Sequence, residues 1–309
     1  MSSGFILDRL DRGARVAIIR IRSLGDSVLT TPAIHLLKQA RPDLRIAVVS
    51  DPRFADVYRG NRDVDTVLDP GIRELRKFRP ALCLNLHGGP RSARLTLLSG
   101  ARFRAGFAHF PYRGVYNVRI PSAQEILGVN RKVHTAEHAA SAVFYLGVPQ
   151  TEVPRARLYS GPGLPAISAP GPYAVIHPIA SQREKTWPAP FFISVAQHLK
   201  RELGLQPVFI AGPGEDVSPF QMWPVLAGGS LEQLKTLLSH AALFLGNDSG
   251  PAHMAAAFGL PVVAIFGPSD PVVWAPWKTE SHVLTANGPI ETITEKMVMR
   301  AVDHLGVHA

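Results

Sequence analysis

A chain of 309 residues that is 46% hydrophobic and 18% charged, with a formal net charge of +9, holds ample material for a core, which excludes a disordered or fibrous protein. The length suggests two domains of about 150 residues, and the single cysteine, Cys83, excludes a disulfide scaffold and fits a reducing compartment. The charge is lopsided: residues 1–170 hold 25 Lys+Arg against 13 Asp+Glu and residues 171–309 hold 8 against 11, so an anionic partner is expected of the first half, unless its arginines only keep a solvated face soluble.

The opening stretch MSSGFILDRLDRGARVAIIR interleaves charges with its apolar positions and lacks the continuous apolar run of a signal peptide. Next, RVAIIRIRSLGDSVLTTPAIHLLKQARP reads as a strand over 16–21, a tight turn at Ser23-Leu24-Gly25, and a helix over 28–40. Gly25 is expected to relax the turn or let a ligand approach. Asp26 is expected at the helix N-cap, where the dipole favours its ionised form. A carboxylate there can serve as a general base, or as an ordinary cap. The turn is not G-x-G-x-x-G, so the dinucleotide fingerprint is absent.

Further strands are expected over 46–49, 66–68 and 82–86, and a helix over 136–146. The pair Asp63-Val64-Asp65 sits in an Asn-Arg-Asp turn and reads as turn chemistry rather than a metal site. No His/Cys cluster has metal-ligand spacing, so a metal-independent reaction is expected. Residues 157–172, RLYSGPGLPAISAPGP, are rich in Pro and Gly and read as a linker. The domains are placed at 1–160 and 161–309.

The second half repeats the alternation, with strands over 174–176, 208–210, 243–245 and 262–266 and helices over 191–203 and 231–240. A last helix over 293–305 can pack on its own domain or back on the first. Such alternation argues for two doubly wound parallel α/β domains facing a central cleft, with ligands beyond the carboxyl ends of the strands. No run is long and apolar enough for a membrane span, so a soluble protein is expected.

Three loops of the second half suit a nucleotide diphosphate. In FLGNDSGPAHMAAAFG a strand turns through Asp248, Ser249 and Gly250 into a helix whose free N–H groups can meet phosphate oxygens, with Ser249 and His253 as further donors. In HPIASQREKTWP, Ser181 and Lys185 follow a strand, and Lys185 can neutralise a phosphate. In AGPGEDVSP, Glu215 can accept ribose hydroxyls. A capped helix with a surface histidine is the plainer alternative for the first loop.

The segments RIRSLGDSVLTTPAIHLLKQARP, LHGGPRSARLTLLSGARFRAGF, KTWP and LGNDSGPAHMAAAFGLPVVAIFGPSDP together resemble glycosyltransferase family 9, the ADP-heptose:lipopolysaccharide heptosyltransferases. The resemblance implies a GT-B fold, an N-terminal acceptor domain, a C-terminal nucleotide-sugar domain and an inverting, metal-free displacement without a cofactor. By match to its motifs, Asp26 is the general base; Lys185, Ser249, Gly250 and His253 hold the diphosphate, with Ser181 in the same loop as Lys185; Glu215 holds the ribose; and Asp248 caps and orients its loop and contacts the sugar. Ile179 stands where many members carry glycine, and residues 211–230 align loosely. Arg22, Arg91, Arg94, Arg102 and Arg104 become candidates for the phosphates and carboxylates of a lipid-linked core saccharide, with the protein in the cytoplasm, touching the inner membrane.

Two alternatives stay open: another nucleotide sugar or glycan acceptor with the same chemistry, and a non-catalytic nucleotide-sugar binder. A nucleic-acid partner is not expected, because the basic segments lack interleaved aromatics and a binding motif.

Overall fold

The computed structural model describes residues 4–163, 165, 167 and 171–309. The chain divides into two units, Met1–Arg157 and Leu158–Ala309. Of the expected linker, residues 164, 166 and 168–170 lie outside the described residues.

In the first unit, β1 Arg15–Ile19, β2 Arg45–Val49, β3 Thr66–Leu68, β4 Leu82–Asn85, β5 Phe103–Phe107 and β6 Val118–Ile120 form one parallel sheet in the order β3-β2-β1-β4-β5-β6. Val16, Ala17, Ile18 and Ile19 are fully buried, because helices cover both faces of such a sheet and leave no side for polar residues. The helix Leu24–Ala40 buries Val28, Leu29, Ile34 and Leu37, each contributing about 1.5–3 kcal/mol. Pro32 lies inside this helix and removes the N–H that would reach the Val28 carbonyl. The Thr31 hydroxyl donates to that carbonyl instead, at 2.8 Å. Thr31 Oγ1 also accepts from the Arg157 N–H at 3.1 Å, tying the end of the unit to this helix.

In the second unit, β7 Tyr173–His177, β8 Gln206–Ala211, β9 Val225–Ala227, β10 Leu243–Asn247, β11 Val262–Phe266 and β12 Ser281–Thr285 form a parallel sheet in the order β12-β11-β10-β7-β8-β9. Counted within each unit, both sheets have the order 3-2-1-4-5-6. The direction of winding reverses between β1 and β4 in one sheet and between β7 and β10 in the other, and ligands of open α/β sheets bind outside the carboxyl ends at that reversal.

The last helix, Glu295–His304, packs on the core of the second unit. Its stripe Val298, Ala301, Val302 and Leu305 joins Leu199 and Leu203 in one core, the spacing that puts side chains on one helical face. Four strands were not expected from the sequence: β5, β6, β9 and β12. β6 and β9 have three residues each, and β12 is half-buried at a sheet edge. β5 carries Arg104 and Gly106, and a Cβ on Gly106 would meet the Tyr116 ring at 2.6 Å, so this strand gives up a side chain to seat an aromatic.

Candidate active site

The first constellation follows β1 and β4. The backbone leaves β1 at Ile19 and enters the helix at Leu24 with Ser23 as N-cap, so Gly25 and Asp26 are already helical. Asp26 is therefore the third helical residue, a correction to the expected N-cap. The turn uses fewer residues than expected because Ser23, itself a good cap, takes the boundary. The Asp26 carboxylate reaches back: Oδ2 accepts from Ser23 Oγ at 2.9 Å and from the Ser23 N–H at 3.4 Å, while Oδ1 accepts from Arg20 Nη1 at 3.2 Å. The Asp26 side chain is 21% exposed and that of Arg20 only 8%, so the carboxylate meets solvent while its cation is buried beneath it.

At the end of β4, the buried Asn85 organises the next loop. Its Oδ1 accepts from the N–H groups of His87 and Gly88 at 2.9 and 3.1 Å, and its Nδ2 donates to Ser92 Oγ at 3.1 Å and Tyr116 Oη at 3.0 Å. This places the His87 imidazole beside Arg20, Arg22 and Asp26. Burial, and then the Arg20 charge, push its pKa below the ordinary histidine value, against the pull of Asp26. His138, on the helix Thr135–Leu146, stacks on Phe107 with ring centroids 4.0 Å apart. Its pKa is pushed down to about 4, by burial first and then by His109 and Arg20. Near neutral pH these imidazoles act as uncharged hydrogen-bonding groups.

Sequence reasoning missed this histidine group. His87 and His109 each lie just beyond the carboxyl end of a strand, the signal used for Asp26, and could have been found that way. His138 sits mid-helix and is brought in by packing alone.

The arginines divide. Arg22 is exposed on the loop carrying Ser23; Arg91 and Arg94 are exposed on the helix Pro90–Leu98 that follows β4, with Arg91 Nη2 donating to the Pro70 carbonyl at 3.2 Å. Arg102 and Arg104 are not brought to this site. Arg102 precedes β5 and lies over the Phe103 ring at 4.9 Å, and Arg104 donates to the carbonyls of Val115 and Ala101 at 3.1 and 3.4 Å. Both belong to the amino-terminal side of a parallel strand, whereas Asp26 and His87 follow carboxyl ends.

The second constellation follows β7 and β10. Asn247, fully buried at the end of β10, donates from Nδ2 to the Pro178 carbonyl at 2.8 Å and accepts at Oδ1 from the Trp187 N–H at 3.0 Å. It thus clamps both ends of the loop bearing Ser181 and Lys185. Ser181 is exposed in that loop. Lys185 Nζ pairs with Asp248 Oδ2 at 2.9 Å. Ser249, not Asp248, is the N-cap of the helix Gly250–Phe258, because the backbone stays extended for one residue beyond Asp248; Asp248 instead anchors the lysine.

The Ser249 hydroxyl contacts His177 Nδ1 at 2.9 Å and makes no bond to its own helix. His177 is buried, and burial pushes its pKa down to about 4. His253 is buried in the first turns of the same helix, at 4% exposure. Glu215, after β8, turns Oε2 onto the Gly212 N–H at 2.6 Å.

Chemically, the first constellation offers an oriented carboxylate with an exposed edge, and the second offers a lysine and an N-terminus with no acid in its first turn. Asp63 and Asp65 are engaged locally: Asp63 Oδ2 with His35 Nδ1 at 2.8 Å, and Asp65 Oδ2 with Lys38 Nζ at 3.1 Å and the Ile46 N–H at 2.7 Å. Among the described residues no group of three or more His, Cys, Asp or Glu is arranged to hold a metal ion, and no helix is long and apolar enough to cross a membrane.

Residues 72–300 match the model of glycosyltransferase family 9 (heptosyltransferase). The chain is 29% identical to lipopolysaccharide heptosyltransferase 3 of Escherichia coli strain K12, over 83% of each chain. Its fold is shared with a family 9 glycosyltransferase of Veillonella parvula, at TM-score 0.81 and 23% identity over 94% of this chain and 97% of that one. It is shared as well with the E. coli heptosyltransferase WaaC solved with ADP, at TM-score 0.78 and 21% identity over 94% and 99%.

Proposed function

Because the chain belongs to glycosyltransferase family 9, we propose that it is an inverting, metal-independent heptosyltransferase, moving heptose from ADP-heptose to the inner core of lipopolysaccharide. The observation that carries this reading is the unequal equipment of the two winding reversals: a positioned carboxylate at one, and a lysine with an acid-free helix start at the other. The names of the similar proteins supply the sugar, the nucleotide and the acceptor class.

In this mechanism the unit Met1–Arg157 takes the acceptor and the unit Leu158–Ala309 takes the donor. Asp26 removes the proton of the acceptor hydroxyl. Each of its oxygens already accepts from Arg20 or Ser23, but a carboxylate oxygen has two lone pairs, so a site for the incoming proton remains. A positioned base contributes about 10²–10⁴-fold. The oxygen attacks the anomeric carbon as the bond to the diphosphate breaks, and the electron pair leaves with ADP. One displacement inverts the anomeric centre.

Charge growing on the leaving diphosphate is met by Lys185, the Gly250 N–H, Ser249 and His253, fixed donors that need no reorganisation. Ser181 lies in the lysine's loop, Asp248 sets the lysine, and Glu215 offers the ribose its remaining oxygen, Oε1. Arg22, Arg91 and Arg94 present exposed guanidiniums to the anionic groups of a lipid-linked acceptor, reached at the cytoplasmic face of the inner membrane.

The test is the purified protein with a panel of nucleotide sugars, scored for nucleotide diphosphate release with and without core oligosaccharide. ADP release from ADP-heptose that requires the acceptor is expected. Release with a uridine sugar alone would overturn the donor assignment, and binding without release under any pairing would favour a non-catalytic binder.

A further inference from the structure

We infer that His177 is a positioning residue: from the end of β7, its Nδ1–H orients the Ser249 hydroxyl so that this hydroxyl donates to an anionic oxygen of the donor diphosphate. The inference rests on the donor-site reading above and adds to it a residue that no motif singled out.

Ser249 occupies the N-cap with extended backbone, φ −161° and ψ 167°, yet its side chain makes no bond to its own helix. An N-cap hydroxyl ordinarily accepts from the N–H of the second or third helical residue. Here the second residue is Pro251, which has no N–H, and the N–H of the third, Ala252, goes to the Ser249 carbonyl at 3.2 Å. The hydroxyl is thus released from the usual capping duty, and it meets His177 Nδ1 at 2.9 Å.

The partner is held there by the sheet. Gly246 of β10 is in register with His177 of β7. A Cβ on Gly246 would lie 2.8 Å from the His177 carbonyl, so glycine permits this close approach of the two strand ends. His177 is only 8% exposed. Its burial keeps the ring neutral near pH 7, so a single ring proton sits on one nitrogen or the other.

A serine hydroxyl has one proton and two lone pairs. If that proton points at His177, the hydroxyl has nothing to donate to an anion. If it points at a phosphate oxygen, the 2.9 Å contact survives only with Nδ1 as the donor. The bound anion and the Nδ1–H tautomer therefore select each other. The relay runs from His177 Nδ1–H to Ser249 Oγ, and from Ser249 O–H to the phosphate oxygen, each bond strengthening the next.

The experiment measures ADP affinity by calorimetry on the full chain and its variants. His177→Leu and Ser249→Ala should each weaken ADP binding about 5–10-fold, the upper range for the loss of one ordinary hydrogen bond. The double variant should bind no more weakly than Ser249→Ala alone, because the two side chains act as one unit. His177→Asn, whose amide N–H can replace Nδ1–H, should stay within about twofold of the unmodified protein. With ¹⁵N-labelled histidine, the ADP-bound protein should show the His177 ring protonated on Nδ1, a signature that a merely structural histidine would not produce on ligand addition.

Unchanged affinity in His177→Leu, additive losses in the double variant, or a ring protonated on Nε2 with ADP bound would each overturn the relay. If His177→Leu does not fold, the tautomer measurement, Ser249→Ala and His177→Asn decide. An unmodified protein that binds no ADP overturns the donor-site reading itself, and the relay falls with it.

Discussion

The helices that follow β1 and β10 both begin at the winding reversal of their sheets, one after the first strand of its unit and the other after the fourth, and they use their N-termini in opposite ways. The helix Leu24–Ala40 carries its own anion: Asp26 lies in the first turn and folds back onto Ser23, with Arg20 alongside. The helix Gly250–Phe258 carries none. Its first turn is Gly-Pro-Ala, the nearest acid, Asp248, is neutralised by Lys185, and the capping hydroxyl is turned to His177. A helix start favours negative charge in either case; the first N-terminus has an internal carboxylate to stabilise and the second has no acid in its first turn. On the proposed function, one topology yields a base site and an anion site through the choice of a few residues.

The largest expected effect breaks the first half of the contrast. Asp26→Asn keeps an oxygen for Ser23 but removes the base. Sugar transfer should fall by about 10²–10⁴-fold, while ADP affinity by calorimetry stays within about twofold. Transfer at near the original rate would end the assignment of Asp26.

Lys185→Met breaks the second half. It deletes the cation and strands Asp248, whose side chain is 8% exposed. ADP affinity should drop about 10–100-fold, and adding Asp248→Asn should restore part of the loss by removing the uncompensated charge.

A pH titration of stability probes the buried donor-side histidine. Unfolded histidine titrates near 6.5 and His177 near 4, so between these values the unfolded chain binds more protons than the folded one. The contribution of His177 is full above about pH 6.5 and is lost as the pH falls towards 4, up to about 3 kcal/mol. Urea denaturation across this window should show the decline, less steep in His177→Asn.

Pro251→Asp would convert the second N-terminus to the first kind. An acid in the first turn suits the helix, so stability should change by less than about 1 kcal/mol, yet ADP should bind roughly tenfold more weakly as the new charge competes with phosphate. The smallest effect is expected at Arg102, which stacks on Phe103 away from Asp26. Arg102→Ala should alter stability by no more than about 0.5 kcal/mol and leave kcat/KM for the acceptor unchanged. A large loss would return Arg102 to the acceptor site.

Of the twelve strands among the described residues eight were legible, seven of them as apolar runs that are buried and the eighth, β3, as a short apolar run at a half-buried edge. β5, β6, β9 and β12 were not, being short, edge-placed or interrupted by arginine and glycine, so that pairing with a neighbour decides them more than their own residues do. The loops bearing Asp26 and Ser249 announced themselves by polar and special-backbone residues directly after such runs. Their internal roles did not: Asp26 moved from cap to third helical residue, and the capping position fell to Ser249 rather than Asp248.

The sequence by itself determined the alternation of strand and helix, the doubly wound class and the two loops to which the proposed function assigns the chemistry, because each is written in local periodicity and turn composition. Only the tertiary structure decided that His87 and His138 stand beside Arg20 and Asp26, that Asn247 clamps the Lys185 loop, that His177 meets Ser249, and that Arg102 and Arg104 stay away. Those relations join residues up to about a hundred positions apart, through strand register and helix packing, and no local pattern encodes which strand ends will become neighbours.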